Sequence, residues 1–278
     1  MGFSDDLARE MGASEVSFLG EGTFGETWCA RDVDGGGVDY AVKVLRPEWF
    51  NARLVQREIE NVGHFDHPGI VKLHEVRTVT IEDKERIALV CEFIDGGSVD
   101  AALKAGTRPT YKQAKKFARG LMEAIAELHG SDKIHRDIKP ANIMLRDGDW
   151  SRPVIIDFGL SRSVSGGTMT PYPQRVGSVP WMAPEQLRGE RARKGADVWA
   201  CGVVIYQLLS ARHPFFYGVS LDELEPEELV DLVAVPPAPL PEDVPEKLAD
   251  VVLRLLTSDP PNQRGSARRA WTDLGGGR

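Results

Sequence analysis

Cysteine is scarce in this chain. The three present, Cys29, Cys91 and Cys201, lie far apart and form no CxxC pair. That excludes a disulfide framework and a paired-cysteine zinc site, and points to reduced thiols in the cytoplasm. Long apolar runs are missing as well. The longest, residues 203–209, is interrupted by Gln207 and falls far short of the roughly 20 residues that a membrane helix needs. The opening Met1-Gly2-Phe3-Ser4-Asp5-Asp6 lacks the apolar stretch of a secretory signal. It also has Asp6 where a myristoylation signal requires Ser or Thr. Nor is there an excess of positive charge. Thirty-four Lys and Arg against 42 Asp and Glu leave a net charge of −8, which argues against a nucleic-acid binder. Lys and Arg are absent altogether from residues 213–246, where Asp222, Glu223, Glu225, Glu227, Glu228 and Asp231 crowd together. A solvated acidic face and a docking surface for a basic partner both fit that stretch.

What remains is an ordinary globular composition, 42% hydrophobic and 27% charged over 278 residues, enough for one large domain or two lobes. Residues 1–13 read as a lead-in. From Glu15 to Val44 the apolar positions alternate (Val16 and Phe18, Thr27 and Cys29, Val42 and Val44) between glycine-bearing turns, which predicts antiparallel hairpins. Residues 48–63 read as a helix, and 70–76 and 87–93 as two further strands. From Thr110 the period becomes helical, with Phe117, Leu121, Ile125 and Leu128 on one face. Residues 197–209 are apolar nearly all round, the mark of a helix buried in a domain. Five prolines in residues 236–245 make a connector. Residues 251–256 open another helix, and 275–278 read as a tail. Strands first and helices later predict an α+β architecture in two lobes.

Several motifs carry chemistry. Gly20-Glu21-Gly22-Thr23-Phe24-Gly25 fits G-x-G-x-x-G, in which bare backbone can close over phosphates. A dinucleotide fingerprint shares that pattern but requires a helix directly afterwards, whereas Glu26-Thr27-Trp28-Cys29 reads as a strand. Tyr40-Ala41-Val42-Lys43 sets a lysine in an apolar strand; a buried lysine needs a carboxylate partner, and Glu58 in the following helix can supply one. Then come His135-Arg136-Asp137-Ile138-Lys139-Pro140-Ala141-Asn142, Asp157-Phe158-Gly159 after the apolar Val154-Ile155-Ile156, and Ala183-Pro184-Glu185. Taken singly, each has an ordinary structural explanation. Five in this order match the signature set of protein kinases.

Over residues 14–270 the chain resembles the protein kinase family, and His67-Pro68-Gly69, Asp197-Val198-Trp199 and Asp259-Pro260 with Arg264 extend the likeness. The resemblance implies a two-lobed fold. Residues 14–94 would form an N-lobe with a five-stranded antiparallel sheet and a regulatory helix, and 95–274 a mainly helical C-lobe, with ATP in the cleft. It implies that Leu19, Gly20, Glu21, Gly22, Thr23, Phe24 and Gly25 cover the phosphates of ATP. Lys43, paired with Glu58, would hold the α- and β-phosphates. Thr27, Ala41 and Met144 would pack on adenine, and the backbones of Glu92 and Ile94 would bond its edge. Asn142 and Asp157 would hold Mg²⁺ or Mn²⁺, Asp137 would take the substrate hydroxyl proton, and Lys139 would balance charge at the transferred phosphoryl group. His135, Phe158, Val62 and Leu73 would stack as a spine, Asp197 would anchor the catalytic loop, and Glu185 would pair with Arg264.

Three residues depart from the common pattern: Thr27 in place of Val, the small Cys91 at the back of the nucleotide pocket, and Ser178 in place of Thr. None removes a catalytic group. Lys139-Pro140 resembles the serine/threonine branch, and the compact chain resembles bacterial kinases of the eukaryotic type, either free or part of a longer protein. Small-molecule phosphotransferases share the His-x-Asp and metal motifs but generally lack Ala183-Pro184-Glu185 and the full glycine loop; a non-catalytic scaffold would not need Lys43, Asp137, Asn142 and Asp157. The expected partners are ATP and protein substrates, with no nucleic acid and no membrane segment in this chain. Transient self-association would serve autophosphorylation at Thr170, and next at Thr168, in a polar segment where Arg136 offers a counter-charge to a phosphate.

Overall fold

The computed structural model describes residues 2–22, 25–32, 38–46, 65–157, 176–219 and 224–277. The helix expected over 48–63 and the segment 158–175 lie outside the described residues. Two compact units result, one built up to Asp95 and one from Gly96 onward.

The first unit is a five-stranded antiparallel sheet of β1 (Ala13–Gly22), β2 (Gly25–Asp32), β3 (Tyr40–Leu45), β4 (Leu73–Ile81) and β5 (Lys84–Glu92), in the order β1-β2-β3-β5-β4. Alternation sorts its two faces. Val42, Val44, Ala30, Ala88, Val79 and Ile81 point to one side and form a core. A helix preceding the sheet, α1 (Phe3–Met11), covers that side, with Leu7 fully buried among these residues. Phe3 stacks on Trp28 with ring centroids 5.3 Å apart. The lead-in thus contains an amphipathic helix whose apolar positions finish the sheet's core.

The strands read as 70–76 and 87–93 are longer and displaced: β4 runs on to Ile81 and β5 begins at Lys84. The two-residue turn between them, Glu82-Asp83, has both residues at positive φ, 53° and 58°. This is the primed geometry that suits strand twist, but it lacks the Asn-Gly or Asp-Gly pair that would have announced it. Asp6 on α1 supports the turn by accepting the Glu82 N–H at 2.9 Å. That bond, helped by Arg9, holds the Asp6 carboxyl below its ordinary pKa.

The second unit is mainly helical. It contains α2 (Val99–Lys104), α3 (Tyr111–Gly130), the short hairpin β6 (Ile143–Leu145) and β7 (Pro153–Ile155), α4 (Pro184–Leu187), α5 (Lys194–Ser210), α6 (Pro226–Ala234), α7 (Glu246–Leu255) and α8 (Ala267–Asp273). α3 starts on a capping box between Thr110 and Gln113, which satisfies orphan N–H donors of the first turn. α5 is buried on nearly every side, including Trp199, Cys201, Val203 and Val204, each at 0% exposure. The proline-bearing stretch after α6 forms a connector into α7, as its missing N–H donors require. Gly275 and Gly276 close α8 through N–H bonds to the Thr272 and Trp271 carbonyls.

A buried cation locks this unit. Arg264 is fully buried and all five of its N–H donors are used. Its fork grips Glu185 at 2.7 and 2.9 Å, and the remaining donors reach the carbonyls of Thr257, Gly195 and Ser258. The guanidinium lies over the Trp199 ring, 4.9 Å from its centroid. Removing one member of such a pair strands the other charge without water. Glu185→Ala is therefore expected to lower the unfolding free energy by about 3–5 kcal/mol, read from urea denaturation. A loss under about 1 kcal/mol would mean that the pair behaves like an exposed one.

Candidate functional site

The residues singled out by sequence divide between the two units. In the first, the β1–β2 hairpin closes through the Gly22–Gly25 pair; Thr23 and Phe24 at its tip lie outside the described residues. The glycines differ in what they allow. A Cβ on Gly25 would sit 2.0 Å from the Val44 carbonyl oxygen, so no side chain fits. A Cβ on Gly20 or Gly22 would meet nothing within 4 Å. Packing within the chain does not require glycine there, which leaves bare backbone facing open space. Leu19 is half-exposed and Glu21 pairs with Arg46.

Directly opposed residues on antiparallel strands share a face. Thr27, Lys43 and Leu89 form one such row across β2, β3 and β5, and Cys29, Ala41 and Cys91 form the next. The sheet thus collects Gly25, Thr27, Ala41 and Lys43 on the face opposite α1. Cys91 lies beside Ala41, as its register with β3 dictates. At the end of β5 the Glu92 side chain accepts the Lys72 N–H at 3.0 Å, and the Glu92 N–H donates to the Lys72 carbonyl. Ile94 follows and is buried. Glu58, the expected partner of Lys43, lies outside the described residues.

In the second unit the catalytic-loop motif is built around Asp197, which is 1% exposed in the first turn of α5. One carboxylate oxygen accepts the Arg136 N–H at 2.7 Å. The other accepts the His135 N–H at 2.8 Å and His129 Nε2 at 2.9 Å. These bonds hold Arg136 at φ 71°, a conformation that costs a non-glycine residue and persists only when surroundings enforce it. The buried His135 ring donates from Nε2 to the Ile156 carbonyl at 3.0 Å, which leaves Nδ1 to accept the Asp137 N–H at 3.3 Å.

Asp137 is then surrounded by the other named residues. Asn142 donates its amide to the Asp137 carbonyl and carboxylate, at 2.8 and 3.0 Å. Both bonds use the nitrogen, so Asn142 Oδ1 is left to face another group. Lys139 Nζ lies 3.0 Å from Asp137 Oδ2 and donates to Ser178 Oγ at 2.9 Å. Asn142 immediately precedes β6, and Asp157 follows β7. The β6–β7 ladder, extended by the Ile156 N–H to the Asn142 carbonyl, brings both to the same end of the hairpin. Asp157 takes a positive φ of 62° and is exposed. Met144 lies in β6, bridged to Ser98.

Of the expected spine, His135 is buried in the second unit and Leu73 is half-buried opposite Cys91 in the first; Val62 and Phe158 lie outside the described residues. Two histidines were not singled out from sequence. His129 closes the bonding of Asp197, and its only signal was a polar residue on the buried stripe of α3. His213, after α5, donates from Nε2 to the Pro180 carbonyl at 2.8 Å; nothing in the local pattern marks it.

Comparison with known proteins agrees with this geometry. A family model described as "Protein kinase domain" matches residues 13–273. The serine/threonine-protein kinase PkaA of Streptomyces coelicolor is 31% identical over 257 residues, covering 87% of this chain and 46% of PkaA. The serine/threonine-protein kinase PrkC of Bacillus subtilis is 27% identical over 277 residues, covering 92% of this chain and 41% of PrkC. The chain therefore spans less than half the length of either relative. A crystal structure of Rad53 1–466 in complex with AMP-PNP superposes with a TM-score of 0.68 at 27% identity, over 92% of this chain and 62% of that one. With a five-stranded antiparallel sheet, a mainly helical second unit and a family match over nearly its whole length, this chain belongs to the protein kinase domain family.

Proposed function

We propose that this chain is an ATP-dependent serine/threonine protein kinase that transfers the γ-phosphate of ATP to hydroxyls of protein substrates. The observation that carries this reading is the bonding of Asp137 to Asn142 and Lys139 on a loop anchored by Asp197. The names of the relatives and the AMP-PNP bound to Rad53 support it.

Asp137 accepts the proton of the incoming hydroxyl and points its oxygen at phosphorus; the new O–P bond forms as the bridging bond to ADP breaks. Lys139, already beside Asp137, balances the charge on the phosphoryl oxygens. Lys43 holds the α- and β-phosphates with Glu58, and the bare backbone of Gly20 and Gly22 gives phosphate oxygens access to N–H donors. Asn142 Oδ1 and the Asp157 carboxylate are hard oxygen donors at one end of one hairpin, which fits Mg²⁺ or Mn²⁺. Metal held there would neutralise the phosphate charge. Thr27, Ala41 and Met144 pack on adenine, and the backbones of Glu92 and Ile94 bond its edge. No helix among the described residues is long and apolar enough to cross a membrane. The use of ATP and the reduced cysteines support a cytoplasmic site of action. Phosphorylation of Thr170 or Thr168, carried out by a second copy of the chain, would add a phosphate that can take charge-assisted hydrogen bonds from Arg136.

Asp137→Asn is expected to cut γ-phosphate transfer to a protein substrate by about 10²–10⁴-fold and to leave the melting curve in place; near-normal transfer would reject the assignment. Calorimetric titration of ATP should show tighter binding with Mg²⁺, and Asp157→Ala should abolish that gain; an equal gain in the variant would move the metal elsewhere. The double variant Thr168→Ala/Thr170→Ala is expected to turn over more slowly than wild type and to lose phosphate from that segment by peptide mapping. Wild-type turnover in the double variant would show that the segment is not the switch.

A further inference from the structure

The end of α5 and the loop after it make two contacts with the segment Val176–Trp181 that follows the stretch 158–175. Trp181 Nε1 donates to Gln207 Oε1 at 3.0 Å, and His213 Nε2 reaches the Pro180 carbonyl at 2.8 Å. The state of His213 is fixed by its other nitrogen. Nδ1 faces the backbone N–H groups of Phe215 and Phe216, at 3.1 and 3.0 Å, so it must accept from both and cannot carry a proton. The single ring proton therefore sits on Nε2 and is aimed at Pro180. Burial pushes the ring's pKa down to about 4, which keeps that neutral form in place at neutral pH. The ring cannot readily swing. It stacks on Phe216 at 4.7 Å, and Phe215 stacks on Trp199 at 5.1 Å, the same indole that lies beneath Arg264.

The bonded segment is next to the chemistry. Lys139 spans from Asp137 at 3.0 Å to Ser178 at 2.9 Å, two residues before Pro180. Ser178 and Trp181 line the same small cavity as Asp137, so a peptide whose hydroxyl reaches Asp137 comes close to residues 178–181. The position of that short stretch is set from one side by Lys139 and from the other by Gln207 and His213. Pro180 has no N–H, so its carbonyl is the only backbone group by which it can be gripped.

We infer that His213 is a positioning residue for the protein substrate: by donating to the Pro180 carbonyl it sets where the residues flanking the phosphoacceptor lie, and it contributes to peptide binding without touching ATP or the transferred group. This inference rests on the kinase reading above, and its test separates the two. Two substitutions divide the ring's functions. In His213→Asn the amide oxygen can replace Nδ1 as acceptor for Phe215 and Phe216, but the side chain is too short to reach Pro180. In His213→Gln the longer amide can donate to Pro180.

Steady-state kinetics with a serine-containing peptide, varied against saturating ATP and then the reverse, provide the readout alongside melting curves. For His213→Asn, peptide KM is expected to rise about 3- to 10-fold, the scale of one lost hydrogen bond. ATP KM and kcat should stay at wild-type values, melting should fall only slightly because a buried bond and a stacked ring are lost, and His213→Gln should bring peptide KM back towards wild type. An unchanged peptide KM in His213→Asn overturns the inference while leaving the kinase reading intact. So does a loss of kcat, ATP affinity and melting temperature together in both variants, which would mark a purely structural role. A wild-type protein that transfers no phosphate overturns the kinase reading and this inference with it.

Discussion

The loop that carries Asp137 depends on one buried carboxylate. Asp197 is removed from water, yet three donors from two other parts of the chain converge on it: the N–H groups of His135 and Arg136, and the imidazole of His129. A buried charge is tolerable only when its lone pairs are used, and here the donors it needs belong to the loop it must hold. The constraint also runs the other way. Arg136 occupies a backbone region that it would leave if released, and its N–H is fixed by the shortest of the three bonds. The conformation of Asp137 is thus inherited from a helix more than fifty residues later in the chain. That helix can serve as a reference because it is itself immobilised by Trp199, Arg264 and Glu185.

Much of this could be read from the residues. The alternation in β2 and β3 was sufficient to put Lys43 and Ala41 on one face and Val42 and Val44 on the other, because a strand's period is two and one face had to be apolar. The buried helix announced itself by having no polar side. The family resemblance carried the pairing of Glu185 with Arg264 and the role of Asp197, neither of which periodicity can give, since each joins residues distant in sequence.

What escaped did so for definable reasons. β4 and β5 were cut short because the turn between them uses Glu82 and Asp83, residues with no turn signature, and draws support from Asp6 in a different element. α1 was passed over because nine residues with three acidic groups resemble a polar lead; its apolar positions gain meaning only once a sheet exists to receive them. His129 and His213 each make one long-range bond, to a carboxylate and a carbonyl 68 and 33 positions away. Such bonds leave no rhythm in the sequence. Glu58, Val62 and Thr170, which the resemblance singled out, lie outside the described residues.

The place of α1 bears on where this protein begins as a physical object. The family match opens at residue 13, at the first strand, but the core does not stop there. Leu7 fills the centre of the cluster made by Val42, Val44, Val79 and Ile81, and Asp6 finishes the β4–β5 turn. A boundary drawn by homology would leave a wet hydrophobic sheet face and an unsupported hairpin, the surface by which unpartnered sheets stick to one another. The unit that evolution recognises and the unit that water recognises differ here by one helix.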